Sequence, residues 1–324
     1  MAAITLALVA GIGLRAQTGP YSQVGDIQIG GAAGWDYLNF DPAAKRLYVS
    51  HGAEVVVIDA TTNTIAGRVT DLKGVHGIAI AADLGKGFIS NGQGNNVTVF
   101  DLKTLAVVAT VATGNNPDAI MYEPKNKEVY AFNKRDNTAS VIDAAKGTVV
   151  ATIPLGGSPE TGQADPALGR VFVNLEDKSQ IQSIDIATHK IFDTWPVAPA
   201  EGPTGLAIDL ATHRLFAGGS STVMMDAKTG KVIASLPICS GTDATWYDPG
   251  TKYVFSSCGD GNTTIMKVDG DKLTLVQTLA TANRARTMTV DPVTHKIYLA
   301  SVKPAATGRG GLPDSFHVVV FGMK

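Results

Sequence analysis

The chain has 324 residues with 27 Lys and Arg against 29 Asp and Glu, a formal charge of -2. Binding along a nucleic-acid backbone needs a concentrated basic surface, so this balance disfavours a nucleic-acid partner. Low charged (17%) and aromatic (6%) content, with 35 Gly and 15 Pro, fits many short strands joined by tight turns.

The first segment is apolar from Met1 to Leu14 and ends in Arg15-Ala16-Gln17. That is short for a bilayer crossing, and it reads as a signal peptide over residues 1–17. The expectation is a periplasmic or secreted protein, monomeric, with no transmembrane segment in the mature chain. Residues 18–324 are expected to form one domain.

From there a unit repeats seven times. A turn dipeptide, acidic in six copies, is followed by an aromatic residue that opens an apolar run. The copies are Asp41-Pro42 with Tyr48, Ala81-Ala82 with Phe88, Glu123-Pro124 with Tyr130, Asp165-Pro166 with Phe172, Asp209-Leu210 with Phe216, Asp248-Pro249 with Phe255 and Asp291-Pro292 with Tyr298. Successive aromatics stand 39 to 44 residues apart, a period that signals a repeat architecture.

Four short runs fill each unit, clearest in the third: Ala119 to Tyr122, Val129 to Phe132, Ser140 to Ile142 and Val149 to Ile153. No stretch keeps a helical period, so helices should be few. Four strands per repeat of this length predict an all-β, seven-bladed propeller with four-stranded antiparallel blades. The seventh unit supplies strands at Thr287 to Val290, Ile297 to Val302 and His317 to Phe321. Residues Val24 to Gly30 resemble the fourth strands elsewhere, so an N-terminal strand should complete the last blade and close the ring. Lys303 to Pro313 reads as an extended loop inside that blade.

Tyr48-Val49-Ser50-His51, Phe88-Ile89-Ser90-Asn91 and Tyr130-Ala131-Phe132-Asn133, with Val57-Ile58-Asp59 and Val141-Ile142-Asp143, resemble the YVTN repeats of YncE-like seven-bladed propellers. The resemblance covers about residues 22 to 324. It implies the fold and an exported protein. The same family includes a single-stranded DNA binder, which makes that activity a further reading.

In a repeat protein, positions that recur serve the blade, and polar positions that differ between copies are open to function. The turn carboxylates, including Asp59, Asp143 and Asp226 in the second hairpins, read as hairpin chemistry. All fall on one face of the ring. The opposite face carries the connections between blades and the second-to-third loops, and is the candidate site.

Five residues before each turn position stand Asp36, His76, Asp118, Glu160, Thr204, Asp243 and Arg286. Ring closure should gather them at the channel mouth. Three residues after the repeat aromatics, His51, Asn91 and Asn133 form a candidate outer rim. Asp36, His76, Asp118 and Glu160 form a candidate set for a divalent cation, because carboxylates with one imidazole suit Ca²⁺, Mg²⁺ or Mn²⁺ better than structural zinc. The alternative is that the ring residues pair with one another, for instance Arg286 with Asp36 or Asp243.

Trp35, Tyr37 and Trp246 fall near the same connections and are candidates for stacking on a ligand or for packing between blades. Cys239 and Cys258 fall on the candidate face, either as a disulfide or as buried thiols. The preferred reading is a binding protein for a small ligand, cation or protein partner. A metal-dependent hydrolase, lactonase or lyase with His76 or His51 as general base is the alternative.

Overall fold

A computed structural model of the chain describes residues 19–31, 34–304 and 311–324. The proposed signal peptide therefore lies outside the described residues.

Seven four-stranded antiparallel sheets follow one another around a ring, six of them with four consecutive strands in order. The inner strands of the first six blades are Leu38–Asp41, Val75–Ala81, Pro117–Glu123, Pro159–Asp165, Gly205–Asp209 and Thr242–Asp248. Blade seven has Met288–Val290 innermost, then Ile297–Pro304, then Gly311–Met323, and on its outer edge the N-terminal strand Tyr21–Gln28. The ring is closed as the repeat pattern predicts. Helix is confined to two 3-10 turns among the described residues, Ala82–Leu84 and Glu176–Lys178.

Blade seven differs from expectation in one detail. The segment read as a loop from Lys303 is partly strand, with Pro304 opposite Gly311 and Val302 opposite Phe316. Backbone pairing extends the hairpin past the point where side-chain alternation fades. His317 consequently lies within its strand rather than at its start, and its ring meets Asp26 Oδ1 of the N-terminal strand at 2.9 Å.

The core lies between blades. All seven repeat aromatics are at most 1% exposed, and each packs with side chains of the next blade. Phe172, for example, shares a cluster with Leu206, Leu215 and Val223 of blade five. Tyr298 of blade seven shares one with Phe40 and Leu47 of blade one, stacked on Phe40 at 5.6 Å. One aromatic per repeat thus supplies one blade-to-blade contact per step around the ring.

The acidic turn residues behave as turn chemistry. Asp41 Oδ1 accepts from the backbone of Ala43 and Ala44, and Asp165 Oδ1 from Ala167 and Leu168. The second copy, which has Ala81-Ala82, lacks a carboxylate and forms the 3-10 turn instead, ended by Gly85 at φ 64°. Two of these acids also tie blades together: His213 meets Asp165 at 2.6 Å, and His295 meets Asp248 at 2.8 Å. The hairpin-face histidines are therefore structural, and so is His189, bound to Glu128 at 3.0 Å.

Candidate functional site at the channel mouth

The varying positions of the repeat sit where the chain enters each inner strand. In blades two, three, four and six the strand register slips at that point, between Val75 and Ile78, Pro117 and Ile120, Pro159 and Gly162, and Thr242 and Ala244. Such bulges re-aim a side chain out of the regular alternation. His76, Asp118, Glu160 and Asp243 occupy these irregular stretches. Serines of the second strands hold the entries in place: Ser50 Oγ accepts from Asp36 N at 2.7 Å, and Ser90 Oγ accepts from Gly77 N at 2.8 Å. Gly77 itself permits the close approach of neighbouring blades, since a Cβ there would stand 2.8 Å from Ile120 Cγ2.

Asp36, His76 and Asp118, from three consecutive blades, come together. His76 Nδ1 is 2.6 Å from Asp36 Oδ2 and 3.5 Å from Asp118 Oδ1. One ligand atom from each residue can be chosen so that all three lie within 4.8 Å of one another. Asp118 is 8% exposed, and its Oδ1 accepts no hydrogen bond from any described residue.

Glu160 is nearby but engaged elsewhere. Its Oε1 forms a short ion pair with Lys134 Nζ, and its Oε2 is 3.3 Å from the Tyr37 hydroxyl. Lys134 also reaches Glu176 at 3.3 Å. On the other side of the ring Arg286 Nε meets Asp243 Oδ2 at 2.8 Å, one of the pairings foreseen for Arg286. Thr204 Oγ1 donates to Thr242 O at 2.8 Å, so blade five contributes no ionisable group at this position.

These groups feel one another. Burial, and after it the charge of Asp36, pushes the Asp118 carboxyl up to about 6 against the pull of His76, Lys134 and Arg286. Burial likewise takes Asp243 up to about 6, opposed chiefly by Arg286. Glu160 is pushed up to about 8 by burial and by Asp118, with Lys134 opposing. Burial works against a charge on His76, but the Asp36 hydrogen bond and both carboxylates outweigh it, so its pKa is raised. Burial foremost, then Glu160, Asp118, Asp36 and Asp243, raises the Tyr37 phenol far above its ordinary value. Mutual influence among groups of blades one, two, three, four, six and seven is the electrostatic signature of convergence on one mouth.

The outer rim is less open than its sequence positions imply. Asn91 Nδ2 donates to Asn96 Oδ1 and Thr98 Oγ1 at 2.8 and 2.9 Å, and Asn133 Nδ2 to Thr138 Oγ1 and Ser140 Oγ at 2.9 and 3.0 Å. Both asparagines are buried and brace their own hairpins. His51 stacks on Phe316 with centroids 4.3 Å apart, its Nδ1 3.1 Å from Glu54. Trp35 packs on Phe316 at 5.6 Å and has the Arg284 guanidinium 5.5 Å from its ring centre. Together with Gly34, Gly259 and Arg286 it lines a cavity of about 290 Å³. Trp246 packs partly into the core between blades six and seven and also lines the channel. Cys239 and Cys258 form a disulfide, tying the connection into blade six to the end of that blade's second strand.

Sequence reasoning overlooked Lys134, Glu176 and Arg284, and did not connect Tyr37 with Glu160. Lys134 follows Asn133 directly, so its second-loop position was a usable signal. The cross-channel pairing of Tyr37 had none, because it depends on which blades the ring sets opposite each other.

The channel between this mouth and the hairpin face is lined by inner-strand residues including Ile80, Met121, Gln163 and Ile208, a cavity of about 350 Å³. No helix among the described residues is long and apolar enough to cross a membrane.

No known protein-family model matches the chain, and no curated protein is significantly similar to it in sequence. Solved structures match in fold. A chain of "Kuenenia stuttgartiensis Hydrazine Synthase" superposes with a TM-score of 0.76 at 17% identity, over 83% of this chain and 93% of that one. A chain of "Crystal Structure of Mitotic Checkpoint Complex" superposes with a TM-score of 0.79 at 12% identity, over 100% of this chain and 97% of that one. At such identities the likeness speaks for the fold alone, and the chain is a seven-bladed β-propeller.

Proposed function

We propose that this protein is an exported binding protein of the YVTN-repeat kind that takes a small polar ligand at the channel mouth. The observation that carries this reading is Asp118. A carboxyl pushed up in pKa by burial and then by a second carboxylate, with one buried oxygen that accepts no hydrogen bond, is costly to the fold, and such a cost is usually retained at a functional site. Trp35, Arg284 and the Asp243-paired Arg286 line a cavity beside it, which gives this part of the mouth a polar and aromatic wall. Export is supported by the Cys239–Cys258 bond, because structural disulfides persist in oxidising compartments. Nucleic acid is the weaker reading, since Lys134 and Arg286 at the mouth are paired with carboxylates.

The test is a thermal-shift panel of small carboxylic acids, amines, sugars, nucleotides and divalent metal chlorides. At least one compound should stabilise the wild-type protein, and the shift should vanish in the Asp118→Asn/Arg286→Ala double variant. A panel without any shift, or a shift retained by that variant, would overturn the proposal.

A further inference from the structure

We propose that the channel mouth holds a divalent cation of the manganese class, ligated by Asp36, His76 and Asp118 from blades one, two and three. This rests on the reading of the mouth as a binding site and names what it binds. The three side chains differ in chemistry but share one focus, as Asp36 Oδ2 and Asp118 Oδ1 both face His76 Nδ1 at 2.6 and 3.5 Å. Their ligand atoms lie within 4.8 Å of one another. Metal–oxygen bonds of about 2.0 to 2.6 Å allow two ligands on one ion to stand at most about 4 to 5 Å apart, so only small side-chain movements are needed.

The second observation is Asp118 Oδ1, a buried acceptor aimed at this focus that takes no hydrogen bond and has only the 3.5 Å ionic contact with His76. A cation gives that oxygen a partner. It also removes the repulsion between the two carboxylates, which is otherwise relieved chiefly by His76 and more weakly by Lys134 and Arg286. When the cation binds, Nδ1 releases any proton it carries to solvent and offers its lone pair instead.

The donor set selects the ion. Two carboxylates suit hard cations, and one imidazole moves the preference from Ca²⁺ and Mg²⁺ towards Mn²⁺. Three protein ligands on one side leave the remaining positions to water or to an anionic ligand entering from the mouth. Glu160 belongs to a different unit, held by Lys134 and Tyr37.

Chelator-treated protein titrated with MnCl₂ by calorimetry should bind one Mn²⁺ per chain, with CaCl₂ at least tenfold weaker. Asp36→Asn and Asp118→Asn should each weaken Mn²⁺ by tenfold or more, whereas Glu160→Gln should change it by less than threefold. The electron spin echo of Mn²⁺ bound to the wild-type protein should show nitrogen coupling from one imidazole. That readout needs no variant and survives a misfolded one. Absence of a saturable Mn²⁺ site, absence of nitrogen coupling, or unchanged binding in Asp118→Asn would overturn the inference. If Mn²⁺ fails but an organic compound still gives a shift dependent on Asp118 and Arg286, the cation falls and the binding site stands. Failure of both removes both.

Discussion

The Tyr37 hydroxyl of blade one lies 3.3 Å from Glu160 Oε2 of blade four. Blades one and four are not neighbours in the ring, so the phenol reaches across the channel to make this contact. Tyr37 also lines the channel together with Ile80, Met121 and Ile208.

Removing only the hydroxyl, in Tyr37→Phe, should cost about 1 kcal/mol of stability, the usual net value of one hydrogen bond, somewhat more if Glu160 is ionised. Urea denaturation would measure it. An unchanged midpoint would show that the contact contributes nothing.

The mouth should also make stability depend on pH. Asp118 and Asp243 are pushed up to about 6, and Glu160 to about 8, so the folded protein holds protons that the unfolded chain has already released above about pH 4. Their contribution is present below the ordinary carboxylate range and is lost as pH rises towards 8. His76, also raised, acts with the same sign. Glu160→Gln should flatten the fall in stability between pH 5 and pH 8 by on the order of 2 kcal/mol. Parallel pH profiles for the two proteins would contradict this.

The Cys239–Cys258 bond spans 19 residues, for which loop-closure entropy gives about 3 kcal/mol. Cys239→Ser/Cys258→Ser should lower the urea midpoint accordingly. Because Cys258 is fully buried, dithiothreitol should act on the native wild-type protein slowly. A double variant as stable as the parent would show that the bond only decorates blade six.

Closure of the ring can be tested at Tyr21. Its ring packs edge-on against Phe255 at 5.4 Å, its hydroxyl donates to His295 O at 2.8 Å, and its backbone is held on both sides by Gln277. Tyr21→Ala should cost about 3 kcal/mol, in the range for buried aromatics. Faster proteolysis of the N-terminal strand and of Gly311–Met323, its partner, should accompany the loss. Cleavage spread evenly over the chain would argue against a closing strand.

A repeat aromatic gives the comparison. Phe172→Ala removes the contact between blades four and five and should cost about 3 to 5 kcal/mol. Thermal unfolding would register it as a single lowered transition if the ring unfolds as one unit.

The seven-bladed ring, its closing strand and the buried role of the aromatics were legible in the chain alone, because each depends on a pattern that recurs at a fixed spacing. Tyr48, Phe88, Tyr130 and their counterparts must all do the same thing, and a period reveals what is done repeatedly. The turn acids were legible for the same reason. The mouth obeys a different logic. Its residues could be nominated as the positions that break the repeat, but their partners are set by distances across the ring, which no spacing along the chain encodes. Only the tertiary structure decided that Asp36, His76 and Asp118 share a focus while Glu160 turns to Lys134 and Tyr37. It also decided that Asn91 and Asn133 fold inward, where hydroxyls on the neighbouring strand accept from their amide nitrogens. Which cysteine reading holds was likewise settled in space, since pairing requires two backbones to approach, and here the two Cα atoms stand 5.8 Å apart.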